Sequence, residues 1–340
     1  MLEIDGNEGG GQLLRSSLAL AAVTEQPVEV TNVRGARPTP GLKAQHLTTV
    51  EVLADVCDAG VEGAHLGSET VTFDPSTPRG GVVQVDVGTA GSLTLIFDAL
   101  LGLTVSLQSS LSVTATGGTD VRWSPPLSTY RNVTLPLCRR AGLCVAVERN
   151  RTGFYPAGGG EATLHLGPSS LSPLSLTERG ELLGARIYSR ASRTLSDSEV
   201  AQRQADTAEK AFERNSIDVL ERQVTASMAN STGSVITLEL VYENTRAGFD
   251  ALGEPGKPAE EVATEAVEAA LAFEEGEGAV DCHVADQLLV TLALAGGRMH
   301  IPERTDHVET SLSLLDVFGF DVTVDRTDAG LVVSAPEPTV

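Results

Sequence analysis

Lysine is nearly absent. Of 24 basic residues only Lys43, Lys210 and Lys257 are lysine, set against 46 Asp and Glu, and the formal net charge is −22. Such a surface excludes a nucleic-acid partner held by bulk positive charge at ordinary salt. It is also the balance a molar-salt cytoplasm favours, where the Debye length shrinks to about 3 Å and only direct contacts count. Aromatics make up 4% of the chain, so the core has to be built from Leu, Val, Ile and Ala. Cys57, Cys138, Cys144 and Cys282 contain no Cys-x-x-Cys pair. Their spacing excludes a zinc ribbon or a disulfide framework, and they read as buried free thiols in a reducing cytoplasm. No apolar run approaches ~20 residues, so no membrane span is expected. The acidic start opens straight into a strand and shows no signal peptide.

What is present is glycine, 34 in 340 residues, and an alternation of strands and helices. The length suits two domains, or one with an insertion. Leu2–Asp5 and Val28–Val33 read as strands around a first helix that runs through Val23. Leu42–Asp58 reads as a second helix with Leu47, Val50 and Leu53 on one face. Val82–Val87 is followed by Gly88-Thr89-Ala90-Gly91-Ser92 and an apolar helix, Leu93–Leu103. Val280–Cys282 reads as the end of a strand before the helix His283–Ala295. Three such junctions point to an internal repeat of 70–80 residues. Between them Ser196–Arg214 (helix), Val235–Tyr242 (strand) and Ala259–Glu275 (helix) form a block with its own alternation. It reads as an inserted small domain over 180–279, leaving 1–179 and 280–340 as the large one.

The first glycine cluster, Glu8-Gly9-Gly10-Gly11-Gln12-Leu13-Leu14-Arg15, fits either a tightly packed turn or an anion site at a helix N-terminus. It lacks the Gly-Lys-Ser/Thr of a P-loop. Arg34 and Arg37, in a loop closed by Pro38, suit bidentate contact with phosphate or pairing with the chain's own carboxylates. Lys43, Gln45 and His46 follow at the start of the second helix. Asp286 and Gln287 in His283-Val284-Ala285-Asp286-Gln287 suit a ribose or base edge, and a helix cap explains the aspartate as well. Asp306-His307-Val308-Glu309 has the form of a capping box, with Asp306 as N-cap. It places His307 in a first helical turn, where the dipole disfavours imidazolium and welcomes phosphate. That is what a histidine attacking phosphorus needs; a solvent-facing histidine is the plainer alternative. Arg149–Glu161, with two aromatics and a second triple glycine, fits either single-strand contact by stacking or a packed hairpin.

In their order, DGNEGGGQLLR, VRGARPTPGLKAQHL, GTAGS, GGTD with Pro125-Pro126, RTGFYPAGGG, HVADQ and His307 resemble the RNA 3'-terminal phosphate cyclases. The resemblance implies an α/β (α+β) fold: three repeated units in a large domain related to the enolpyruvyl transferases, with a thioredoxin-like domain inserted in the third. It implies ATP and an RNA ending in a 3'-phosphate as substrates, and a 2',3'-cyclic phosphate as product by way of histidine-AMP and RNA-adenylate. It assigns His307 as the adenylated histidine and His283, Val284, Ala285, Asp286 and Gln287 to ATP. Gln12, Arg15, Arg34, Arg37 and Gln45 go to the phosphates or RNA. Glu8 goes to Mg²⁺ or Mn²⁺, and Pro126 and Phe249 to adenine. Asp98 stands at an ATP-contacting position where the family usually has Gln. The rival readings are a non-catalytic cyclase-like RNA-binding scaffold for ribosome assembly, against which His307 counts, and an enolpyruvyl transferase. The charge balance predicts that removal of salt unfolds the chain. Circular dichroism across a falling KCl series reads this, and full secondary structure in dilute buffer is the contrary result.

Overall fold

In the computed structural model, residues 1–327 and 330–337 are described. Leu2–Asp5 (β1), Gly10–Thr24 (α1) and Val28–Thr31 (β2) form the core of the first unit, two parallel strands joined by a helix. Ala44–Cys57 (α2) then leads to the antiparallel pair Gly60–Glu62 (β3) and Val71–Asp74 (β4), and the sheet order is β1-β2-β4-β3. The second unit repeats this. Gly81–Asp86 (β5) and Leu111–Gly117 (β6) are parallel around Leu93–Asp98 (α3); the short helices Leu127–Thr129 (α4) and Leu135–Arg140 (α5) precede Cys144–Arg151 (β7) and Gly160–Gly167 (β8). Its order is β5-β6-β8-β7.

The third unit opens with Leu174–Leu176 (β9) and is then interrupted. The interruption consists of Leu182–Ser192 (β10), Val200–Arg214 (α6), Val219–Ser227 (β11), Ser234–Tyr242 (β12), Arg246–Leu252 (β13) and Ala259–Glu275 (α7), with sheet order β11-β10-β12-β13. The unit resumes with Cys282–Ala295 (α8), Gly297–Ile301 (β14), Asp306–Val317 (α9), Thr323–Thr327 (β15) and Gly330–Ala335 (β16). β14 lies parallel to β9 and antiparallel to β16, which pairs with β15. All three units therefore share one strand order and one pattern of directions.

Val280–Cys282 is not a strand, contrary to its apolar look. Asp281 caps α8, and the parallel partner of β14 is β9, on the far side of the insertion in sequence. α3 stops at Asp98 rather than Leu103, and Leu101–Val105 tightens into a 3-10 turn. α6 starts at Val200 because Glu199 is left-handed, φ 50°. Of the cysteines, Cys57 and Cys138 are buried and burial pushes both thiols up to about 12. Cys144 is exposed on the edge strand β7 and Cys282 is half-buried, so the thiols are not uniformly buried.

One core joins the three units, and the insertion has its own. α7 shows why: Val262, Ala263, Ala266, Val267, Ala270 and Phe273 turn inward at helical spacing while Glu260, Glu261, Glu265 and Glu268 stay exposed. No described helix is long and apolar enough to cross a membrane. The insertion is fastened to the second unit by polar contacts. Arg246 Nη1 donates to Glu239 Oε1 (2.8 Å) and to the Asn132 carbonyl (3.1 Å). Glu239 is fully buried between Arg246 and Arg186; burial raises its pKa and the two guanidiniums oppose the rise. Removing a buried charge that two cations depend on costs about 3–5 kcal/mol. Glu239→Ala should lower the urea midpoint accordingly and Glu239→Gln by less; equal midpoints would show the triad to be inert.

Candidate active site

A cavity of about 1930 Å³ opens where helix starts from the first and third units meet the loops of the second and the edge of the insertion. Gly9, Gly10 and Gly11 line it at the uncapped start of α1. Gly10 is left-handed, φ 61°, and a Cβ there would sit 3.1 Å from Arg37 Nη2; a Cβ on Gly11 would collide with the His46 ring. The triple glycine is thus a turn that lets a guanidinium and an imidazole stand over free helix N–H groups, so the packing and anion readings converge. His46 Nδ1 accepts the Lys43 N–H (3.2 Å), which leaves Nε2 as the protonated nitrogen, beside Gly11. Burial, then Arg15, Arg34 and Lys43, push its pKa down to about 3, so His46 is a neutral donor.

Arg34 and Arg37 both line the cavity, in different roles. Arg34 is buried and left-handed, φ 57°, and its Nη1 donates to the Thr39 and Gly41 carbonyls (both 2.8 Å), holding the loop. Arg37 is exposed to the cavity. Gln45 Oε1 accepts the Ser92 N–H (2.8 Å), tying the second unit's Gly-Thr-Ala-Gly-Ser loop to α2.

Across the cavity, α9 begins one residue earlier than a capping box with Asp306 as N-cap requires. Thr305 is the N-cap, accepting from Val308 N (3.2 Å), and Glu309 pairs with Arg304 instead of reaching back. His307 remains in the first turn. Gln12 Nε2 donates to Asp286 Oδ1 (2.6 Å) and Ser311 Oγ (2.9 Å), and Ser311 donates to Asp286 (3.1 Å). With its NH₂ engaged, Gln12 offers Oε1 to His307 Nδ1. Nδ1 therefore carries the proton and Nε2 keeps its lone pair. Gln12 orients the histidine. Asp286 is neither cap nor free edge reader: the cap is Asp281, which accepts from His283 N (3.0 Å) and Val284 N (2.9 Å).

His283, Val284 and Gln287 also line the cavity, Gln287 accepting from Thr134 (2.7 Å). Four expected residues do not. Ala285 is buried in the core, on the opposite face of α8. Pro126 caps Leu127–Thr129 while Pro125 lines the wall. Phe249 packs on Phe273 inside the insertion, since strand alternation turns Gly248 and Asp250 to the cavity. Glu8 is exposed outside the lining, and among the described residues no three His, Cys, Asp or Glu side chains are grouped to hold an ion. A divalent ion would have to arrive on substrate phosphates, its usual mode for Mg²⁺.

Sequence reasoning passed over Ser311 and Trp123. Ser311 lies one turn behind His307, a spacing that was readable. Trp123, the sole tryptophan, and Tyr155 stand on the cavity lip 93% and 74% exposed. The rest of the Arg149–Glu161 segment is the packed hairpin: Phe154 is buried and Arg149 is ion-paired with Asp120.

The model of the RNA 3'-terminal phosphate cyclase family matches residues 6–324. The chain belongs to this family. The RNA 3'-terminal phosphate cyclase of Halobacterium salinarum is 44% identical over 97% of this chain and 98% of its own. That of Pyrococcus furiosus is 38% identical over 94% and 93%, and that of Archaeoglobus fulgidus 38% over 94% and 95%. Among solved structures, the enolpyruvyl transferase NikO of Streptomyces tendae aligns at 16% identity over 48% of this chain and 33% of its own, with a TM-score of 0.27.

Asp98, expected from the resemblance to stand where the cyclases have Gln, also lines the cavity, and its surroundings alter what it can do. Its Oδ1 is buried without a partner, and burial, with Asp286 adding and Arg15 opposing, raises its pKa to about 7. Near neutrality a large fraction is protonated and can donate a hydrogen bond as a glutamine amide does. In the unfolded chain it ionises near about 4. Its contribution to stability is therefore full below about 4, is lost as pH rises to about 7, and is constant beyond. Asp98→Asn should be more stable than the parent by about 1–3 kcal/mol at a pH of about 8, with the gain vanishing near about 4. Calorimetry at both pH values checks this; a pH-independent difference contradicts it.

Proposed function

We propose that this chain uses ATP to convert an RNA 3'-terminal phosphate to a 2',3'-cyclic phosphodiester. The observation that carries the reading is His307, whose Nδ1 is held by Gln12 so that Nε2 keeps a lone pair in the cavity opposite the glycine turn. Nε2 attacks the α-phosphorus of ATP; the N–P bond forms, the bond to the bridging oxygen breaks, and pyrophosphate leaves. The imidazole becomes cationic, and Gln12 Oε1 accepts from the remaining N–H. An RNA 3'-phosphate oxygen then takes the AMP, breaking the N–P bond and restoring His307. The 2'-hydroxyl next closes on the 3'-phosphorus, loses its proton and expels AMP. This last step demands little of the protein, because the nucleophile is already positioned and AMP is a good leaving group.

Arg15, Arg37, Lys43, neutral His46 and the α1 N-terminus supply the phosphate grip. Asp98, His283, Val284 and Gln287 form the nucleotide wall. Mg²⁺ or Mn²⁺ would neutralise the phosphates and arrive bound to them, since Glu8 lies outside the lining. Residues 1–179 and 280–340 are the catalytic domain, and the insertion 180–279 closes one side with Thr232–Ser234, Gly248, Asp250 and Leu252–Pro255. Trp123 and Tyr155 offer stacking surfaces for the RNA end, where a base stacked on an aromatic contributes about 1–3 kcal/mol. A salt-rich cytoplasm is the proposed setting.

With α-labelled ATP, the parent should acquire acid-labile label and cyclise the RNA. His307→Ala should lose both with its circular dichroism unchanged, and Gln12→Ala should slow labelling about 100-fold. Label or turnover in His307→Ala would defeat the assignment.

A further inference from the structure

A second cleft, of about 750 Å³, lies between β7 and the β10–β11 side of the insertion. Arg131, Arg149, Arg151, Arg186 and Arg190 line it, with Glu221 as the one carboxylate. Arg149 is neutralised by Asp120, and Arg186 by Glu239 and Glu221. Among the described residues Arg131, Arg151 and Arg190 have no carboxylate partner. Arg151 donates only to the Gly159 carbonyl and Arg190 Nη1 only to Ser227 Oγ (2.6 Å), while Arg190 Nε is buried with no acceptor. Burial and the like charges of Arg149 and Arg131 depress the Arg190 pKa to about 10.

In a chain with 46 acidic and 24 basic residues, internal pairing is the cheap way to quiet an arginine. Arg131, Arg151 and Arg190 lack that pairing, and Arg149 and Arg131 set their charge against the largely enclosed Arg190, a repulsion that an anion from outside would relieve. Arg131, Arg151 and Arg190 come from three elements, the turn after α4, the end of β7 and the C-terminal part of β10, so they address more than one phosphate.

The cleft adjoins the active cavity through a thin wall. Leu127 and Ser128 face the cleft and Thr129 the cavity; Arg149 faces the cleft and its partner Asp120 the cavity. The β7–β8 hairpin likewise carries Arg151 on the cleft side and Tyr155 on the cavity lip. We propose that this cleft holds the sugar–phosphate backbone of the substrate RNA upstream of its 3' end. The proposal rests on the RNA reading above and adds where the strand runs.

The test is fluorescence polarisation of a labelled single-stranded oligoribonucleotide ending in a 3'-phosphate, without ATP, across a KCl series. Arg131→Gln/Arg190→Gln should bind about tenfold more weakly. Its slope of log affinity on log salt should be shallower by about 1.4, two lost contacts at about 0.7 each. Without RNA the same variant should melt at a higher temperature than the parent, because the repulsion is gone; a purely structural role gives a lower one. The exposed Arg131→Gln alone should show about half the change in slope. Unchanged affinity and slope, a lowered melting temperature, or complete displacement of the RNA by inorganic phosphate at matched ionic strength would each overturn the proposal. Since no turnover is read, a chain that binds in this way but never cyclises would refute the cyclase reading alone.

Discussion

The contact between Gln12 and His307 is the one on which the site depends. It joins the first helix of the first unit to the second helix of the third, residues 295 positions apart. A histidine in the first turn of an exposed helix has no orientation of its own. Gln12 supplies one, and is itself held by Asp286 and Ser311. The relay ends on the Asp286 carboxylate, which accepts from Gln12 and Ser311; in the proposed reaction His307 keeps its lone pair and has no proton to shed before attack. The three repeated sheets matter chemically because they bring these helix starts to one place.

Charge around that relay is arranged against expectation for an acidic chain. Arg15, Arg34, Arg37 and Lys43 gather on one side of the cavity. Burial lowers the Arg15 pKa while Asp98 and Asp286 hold it up. Burial, with Arg15, Arg34 and Lys43 adding to it, keeps His46 neutral, so it contributes a hydrogen bond without adding to the repulsion. Direct contacts of this kind survive molar salt, where longer-range attraction is screened. An acidic exterior and a cationic interior cleft are therefore compatible in one molecule.

Much of this was legible in the residues. Strand–helix junctions after Asp5 and Asp86 showed the repeat, and motif order pointed to the family, because both are local signals. What failed was non-local. Val280–Cys282 looked like a strand, but the third unit had already laid down that strand at Leu174–Leu176, more than 100 residues earlier. Gln12 read as a phosphate ligand because nothing in sequence shows that Asp286 and Ser311 take its amide. Phe249 read as an adenine contact, and strand alternation turned it to the other side. Asp98 read only as a replacement for Gln; its enclosure is what shows that it can hold a proton.

The site of the insertion has a physical consequence that follows from one carboxylate. Asp281 caps α8 with Oδ1, while its Oδ2 accepts the Gly248 N–H of β13 at 3.0 Å. The strand that brings Gly248 and Asp250 to the cavity wall is thereby held in register with the helix that carries Asp286 and Gln287. Thr129 on the second unit adds a bond to Asp250, 3.1 Å. A domain inserted at an outer loop would move independently of the chemistry. Placed between β9 and α8, this one shares a buried acceptor with the start of the helix that supports Gln12. Movement of the insertion must therefore disturb either the α8 cap or the β13 edge, and the cap stands at the start of the same helix that carries Asp286 of the histidine relay.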